Sequence, residues 1–95
     1  IYNSSVAGGT VIDGGTVSHS ILSAWVRLEN DSLVEESILF DNVNVGAGAK
    51  LKRCIIDKHV RIPDGETIGY YLERDRQRFT VTEQGIVVVG KRQTF

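Results

Sequence analysis

The 95-residue sequence predicts an all-β fold, a single-stranded parallel β-helix of about four triangular coils closed by a short helical cap and a C-terminal strand. Two observations carry that prediction: a period of 17 residues running through four units, and aliphatic side chains recurring within each unit at steps of 6, 6 and 5. A third supports it. Eight glycines lie between positions 3 and 69, where they penalise helix interiors and suit tight corners.

The units begin at Asn3, Ser20, Ser37 and Cys54. In register they give three columns: Ser5, Leu22, Leu39 and Ile56; Val11, Leu28, Val45 and Ile62; and Val17, Val34, Leu51 and Ile68. Eleven of these twelve positions are Val, Ile or Leu, so the columns are the expected core. Apolar positions six apart would scatter around a helix of 3.6 residues per turn, whereas six residues suit a short strand plus a corner. Three such sides close one coil, and each aliphatic residue stacks on its equivalent about 4.8 Å along the axis. Small residues recur four places after the second column, as Gly15, Ser32 and Ala49, where a bulky side chain would crowd a corner; Glu66 breaks this pattern. On the outside, Glu36 and Arg53 share a column and are expected to form a modest surface ion pair, while Arg27, Asn44 and Arg61 share another.

Residues 1–69 are therefore assigned to the coils and 70–95 to a cap and strand of the same domain. In YYLERDRQRF the spacing of Tyr71, Leu72 and Phe79 predicts one or two helical turns over the last coil, with Arg74, Arg76 and Arg78 solvating them. Gly85 marks a turn, and Ile86 to Val89 form an apolar strand expected to pair along the flank of the β-helix before Lys91 and Arg92 return to solvent.

A hydrophobic content of 41% with 24% charged residues fits a soluble globular chain, and no stretch approaches the roughly 20 apolar residues of a membrane span. The first residues lack a secretory pattern and do not begin with Met, so a preceding segment is expected. The lone cysteine, Cys54, excludes an intramolecular disulfide and suits a reducing compartment such as the cytoplasm. A net charge of −1 hides an asymmetry. Residues 1–49 hold one basic and six acidic residues, −5, and residues 50–95 hold ten basic and six acidic, +4. A local basic half on a near-neutral chain points to a small anion rather than to nucleic acid, which asks for a broad basic surface.

The run CIIDKHVRIPDGETIG, then ERDRQRF, then GIVVVGK, resembles the closing segment of ADP-glucose pyrophosphorylases, the glucose-1-phosphate adenylyltransferases. The earlier GGTVIDGGTVSHSIL and ESILFDNVNVGAGAKLKRCIIDK resemble their preceding coils, so the likeness spans essentially the whole chain. It implies the left-handed, hexapeptide-repeat type of β-helix. It also implies a parent enzyme that converts ATP and glucose 1-phosphate to ADP-glucose and pyrophosphate with Mg2+, supplying glycogen or starch synthesis. The nucleotidyl-transfer site of that family lies in an N-terminal domain with a GGxGTRL loop, which this sequence lacks, so no catalytic residue and no cofactor is assigned to this chain. The chain alone is expected to be inactive, to pack with its own N-terminal catalytic domain, and to take part in a homotetramer in the cytoplasm, or in the plastid if it comes from a plant. The resemblance further implies an allosteric site for anionic metabolites such as 3-phosphoglycerate, fructose 1,6-bisphosphate, phosphate or AMP. Lys58 in IIDKHVRI and Lys91 in GIVVVGK match activator positions; Arg61 and Arg92 are weaker candidates for the same site.

Two other classes compete: a self-contained hexapeptide acyltransferase and a purely structural β-helix. His19 and His59 invite the first, as possible general bases, but each reads better as a corner or surface residue. Cys54 reads as a small buried thiol, two histidines and one cysteine lack metal-ligand spacing, and Trp25 and the tyrosines are not interleaved with lysines as a nucleic-acid platform would need.

Overall fold

Short apolar steps separated by corner residues fold by laying each coil on the previous one, and the computed structural model, which describes residues 4–95, has that arrangement. Asn3, where the first repeat unit is drawn, lies outside the described residues. Coil one contributes β1 (Ser5–Val6), β2 (Val11–Ile12) and β3 (Thr16–Ser18). Coil two contributes β4 (Ile21–Leu22), β5 (Arg27–Leu28) and β6 (Leu33–Glu35), and coil three β7 (Ile38–Leu39), β8 (Asn44–Val45) and β9 (Lys50–Lys52). Coil four adds β10 (Cys54–Ile56), β11 (Arg61–Ile62) and β12 (Thr67–Ile68), followed by α1 (Leu72–Arg78), β13 (Thr80–Val81) and β14 (Val87–Val89). Equivalent strands of successive coils pair in parallel, giving three sheets that form the faces of a β-solenoid of about four turns.

The core is the set of inward residues. Leu22, Leu39 and Ile56 stack on one side, Leu28, Val45 and Ile62 on the second, and Val17, Val34, Leu51 and Ile68 on the third, all at 0–1% exposure. Two-residue strands cannot supply a broad apolar face, so stability rests on these ridges meeting along the axis. Val26, Val43 and Val60 plug one corner from the inside.

Each corner is turned by a residue in the left-handed region. One corner column holds Gly9, Trp25, Asn42, His59 and Arg92, a second Gly14, Asp31, Gly48 and Gly65, and a third His19, Glu36 and Arg53. This conformation costs a non-glycine residue on the order of 1–2 kcal/mol. The cost is offset because it turns the corner amide toward the preceding coil: Asn42, His59 and Glu36 donate to the carbonyls of Ala24, Asp41 and Ser18 at 3.0–3.2 Å. The strand amides point the other way, as from Arg27 to the Val43 carbonyl at 2.9 Å. Coils are thus bonded in both directions.

The first coil departs from the predicted repeat. Ser5 pairs with Ile21 and Val11 with Arg27, an offset of 16, before Thr16 pairs with Leu33 at an offset of 17. Val11 is therefore not a core residue; it faces outward at 48% exposure, and Ile12 lies in line with Leu28 instead. Likewise Val6, not Ser5, stacks under Leu22. The shorter coil is made possible by Gly14 and Gly15. Gly14 has φ +79°, and a Cβ there would run into the Asn30 side chain; one on Gly15 would lie 2.5 Å from the Ser32 hydroxyl. A turn of two glycines spans the corner with one residue fewer.

At the far end the predicted cap forms, but with different partners. The Asp75 side chain, 1% exposed, accepts the Gly69 amide at 2.8 Å and the Arg78 guanidinium at 3.2 Å. Arg78 also binds Glu66 at 3.0 Å and lies over the Phe79 ring at 4.7 Å, so it ties the cap to the last coil rather than merely solvating it. Glu66 breaks the small-residue column because no fifth coil covers that corner, and its carboxylate is free to meet Arg78 and Arg74. Arg53 donates to the Gln84 carbonyl at 2.8 Å, and the Glu36–Arg53 ion pair expected from their column is not among the described ion pairs. The C-terminal strand does more than follow the flank. β14 pairs in parallel with β10 as a fifth rung of the first sheet, Ile56 opposite Val89, and antiparallel with β13. Val87 and Val89 are fully buried there.

Candidate anion site

The fifth rung decides where the candidate cations stand. With Ile56 opposite Val89 and the Arg92 amide donating to the Lys58 carbonyl at 3.1 Å, the register carries Lys58 alongside Lys91. Residues 33 apart in sequence thus sit on neighbouring rungs, with backbones about 4.8 Å apart. Both lysines are exposed. The Lys58 amide is held by the Asp57 carboxylate at 2.7 Å, which fixes the backbone from which the ammonium stem projects.

Arg61 lies beyond the corner, at the start of β11, and Arg92 lies at the corner itself. His59, with φ 59°, turns the chain from the first sheet into β11, and Arg92, with φ 59°, repeats that corner one rung on. The two arginines line one cleft of about 370 Å³ with His59, Pro63 and Phe95. The corner thus places Lys58 beside Lys91 on one side and Arg61 with Arg92 along the cleft, as two neighbouring pairs of cations around His59. Five basic or imidazole side chains gather at one end of one edge.

Such an arrangement suits a multiply charged anion. Like charges on adjacent rungs repel when empty, and a phosphate or carboxylate between them removes that repulsion while gaining charge-assisted hydrogen bonds. Lysine stems adapt to the anion's position, and the guanidinium forks of Arg61 and Arg92 offer paired donors to its oxygens. The apolar rings of Pro63 and Phe95 give the same cleft a wall against which a carbon skeleton can rest.

The other candidates from the sequence behave as structural residues. His19 is a corner residue whose ring nitrogen lies 2.8 Å from the Ser18 hydroxyl. Cys54 is 1% exposed, and burial pushes its thiol up to about 12 against the opposing pull of the Ser37 hydroxyl, so it is no nucleophile at neutral pH. No group of three or more His, Cys, Asp and Glu side chains suited to a metal ion occurs among the described residues. Sequence reasoning missed His59 and Phe95 as cleft residues. The signal for His59 was its place one residue after Lys58; Phe95 offered none.

Coils stepping by six residues, three parallel faces and a corner-turning residue on each define a hexapeptide-repeat solenoid with a basic rim on its last rungs. Comparison with known proteins agrees: the model of the GlmU-like, C-terminal hexapeptide family matches residues 1–89, and the chain belongs to that family. It is 57% identical over 89 residues to the glucose-1-phosphate adenylyltransferase of Anaeromyxobacter sp. (strain Fw109-5), covering 94% of this chain and 22% of that protein. It is 54% identical over 95 residues to the enzyme of the same name from Deinococcus radiodurans, covering 99% of this chain and 23% of the relative. Against glucose-1-phosphate adenylyltransferase 2 of Vibrio cholerae serotype O1 it is 50% identical over 93 residues, covering 98% and 23%. The chain spans less than a quarter of the length of these relatives.

Proposed function

We propose that this chain is the C-terminal regulatory and oligomerisation domain of a glucose-1-phosphate adenylyltransferase, and that Lys58 and Lys91, with Arg61 and Arg92 beside them, bind an anionic metabolite that sets the activity of the enzyme. The observation that carries this reading is the fifth rung, which brings Lys58 and Lys91 side by side from opposite ends of the closing segment. A rung serving only to cover Ile56 would need the apolar triplet Val87–Val89 and nothing beyond it; here the chain continues into Lys91 and Arg92 on the same edge. Homology to named adenylyltransferases supports the parent activity, joining ATP and glucose 1-phosphate into ADP-glucose and pyrophosphate.

In this reading ATP and Mg2+ are handled by a catalytic domain outside residues 1–95, and this chain alone is inactive. The domain contacts its own catalytic domain, the enzyme is a homotetramer, and it works in the cytoplasm, or in a plastid in a plant. An effector seated on the basic rim alters turnover by favouring one arrangement of the domains over another, so its influence equals its difference in affinity for the two.

The test is an activation assay on the complete enzyme. Lys58→Ala and Lys91→Ala are expected to raise the half-saturating concentration of a phosphorylated activator at least 10-fold while leaving unactivated turnover within 2-fold, because in this reading the reacting groups are held by the catalytic domain. Activation curves that coincide with the unsubstituted enzyme for both variants remove the site from this edge.

A further inference from the structure

Two clefts share one wall. The first, of about 370 Å³, holds His59, Arg61 and Arg92, and the second, of about 300 Å³, holds Glu66, Arg78 and Phe79. Residues 93–95 line both, so this stretch is the partition between them. Little backbone bonding holds it. The Gln93 amide donates to the Gly90 carbonyl at 3.1 Å, but among the described residues neither Thr94 nor Phe95 gives its amide to a backbone carbonyl. A stack of side chains fixes the partition instead. The Phe95 ring meets that of Phe79 at 5.6 Å between centroids, tilted by 53°, and Phe79 packs on the hydrophobic core. Over Phe79 lies the Arg78 guanidinium at 4.7 Å, held in turn by the carboxylates of Glu66 at 3.0 Å and Asp75 at 3.2 Å. Each member limits the next, from two carboxylates at the capped end to an aromatic ring at the rim of the basic cleft. Phe95 nonetheless keeps 45% of its surface exposed. A ring that served only to cover Phe79 would bury more of itself; this one also lines the cleft of Arg61 and Arg92.

We infer that Phe95 is a specificity-determining residue of the anion site and Phe79 its positioning residue, the pair favouring anions that carry a carbon skeleton over inorganic phosphate. The inference rests on the effector site proposed above and adds what its cations cannot supply. Lysine and arginine donors bind a phosphate group whatever is attached to it, so cations alone rank organic and inorganic phosphates by charge. Inorganic phosphate covers nothing on the ring. The C–H side of a sugar skeleton, its phosphate between Arg61 and Arg92, covers on the order of 50 Å² of apolar surface there, roughly a 10-fold gain in affinity. A ring already held by its neighbours loses little freedom on contact, so most of that gain is kept.

The experiment measures dissociation constants on the complete enzyme by calorimetry, at about pH 8, with two probes: inorganic phosphate and fructose 6-phosphate. Both then carry close to two negative charges on one phosphate group, and they differ in the carbon skeleton. Binding is counted as the part lost in the Lys58→Ala, Lys91→Ala double variant, which removes the contribution of other sites. Phe95→Ala is expected to weaken fructose 6-phosphate about 10-fold and to leave phosphate within about 2-fold, whereas Phe95→Tyr keeps the ratio of the unsubstituted enzyme. Phe79→Leu, which fills the core but offers no ring to Phe95, lowers the ratio about 3-fold or more. A merely structural role would weaken both probes alike. Equal weakening of both probes or of neither by Phe95→Ala, or a ratio lost in Phe95→Tyr, overturns the assignment of Phe95; a ratio unmoved in Phe79→Leu overturns that of Phe79. In each of these cases the lysine-dependent binding remains and the anion site stands. If neither probe shows lysine-dependent binding, the anion site itself falls and this inference with it.

Discussion

The Ser20 hydroxyl accepts the Ser37 amide one coil away at 3.0 Å and donates to the Ser18 carbonyl on its own coil at 2.8 Å. Ser37 repeats the device, accepting the Cys54 amide at 3.3 Å and donating to the Glu35 carbonyl at 2.7 Å, and Ser4 begins it by accepting the Ser20 amide at 3.0 Å. The third corner needs this help because its left-handed residues Glu36 and Arg53 turn their own amides back to the Ser18 and Glu35 carbonyls of the preceding coil. The next amide is then left without a backbone carbonyl, and a serine oxygen takes it.

Ser37→Ala should therefore destabilise the fold by about 1–3 kcal/mol, the cost of leaving the buried Cys54 amide unpartnered. A urea titration measures it. Loss of less than about 0.5 kcal/mol would show that the amide finds another acceptor without rearrangement.

Cys54 gives a pH dependence whose sign is fixed. Its folded value, about 12, lies above the ordinary 9.0, so between these limits the unfolded thiol has lost its proton and the folded one has kept it. Stability carried by the protonated thiol is complete below about pH 9 and declines as pH rises toward 12, by at most about 1.4 kcal/mol per unit. Comparing unfolding of the unsubstituted chain and Cys54→Ala at pH 8 and pH 10.5 isolates this part from other alkaline titrations. The gap between the two proteins should shift in favour of Cys54→Ala at the higher pH; a constant gap contradicts the burial argument.

The corrected register of the first coil predicts an asymmetry between neighbours. Ile12→Ala should cost about 1–2 kcal/mol, a reduced share of the 2–5 kcal/mol of a fully buried site, because Ile12 is only half-buried on the end coil. Val11→Ala, on the outer face, should fall within about 0.5 kcal/mol. Denaturation midpoints for the two variants decide the matter, and a larger effect at Val11 would restore the uninterrupted 17-residue repeat.

These cases show what could be seen from the residues. The ridges from Leu22 onward were legible because the coils there keep one length, so each inward residue recurs 17 positions on. In the first coil Val11 and Ile12 are adjacent aliphatics, and periodicity alone cannot choose between them; the Gly14–Gly15 turn that removes a residue was visible only as two glycines. Burial of Asp75 was hidden among the charges of a short helix, although Glu66, the one large side chain in a column of small ones, marked the corner where Arg78 arrives. Lys58 and Lys91 were singled out only by resemblance. Their adjacency depends on β14 returning as a fifth rung, a long-range pairing that local pattern does not encode.

The most direct test of the functional account is a double-mutant cycle on the complete enzyme, combining Lys58→Ala and Lys91→Ala and reading the half-saturating activator concentration. Two cations that share one anion should couple, so that the double variant falls short of the product of the single effects by at least 5-fold, about 1 kcal/mol. Single effects that multiply without coupling, or a half-saturating concentration unchanged in all three variants, would contradict a shared site on the fifth rung.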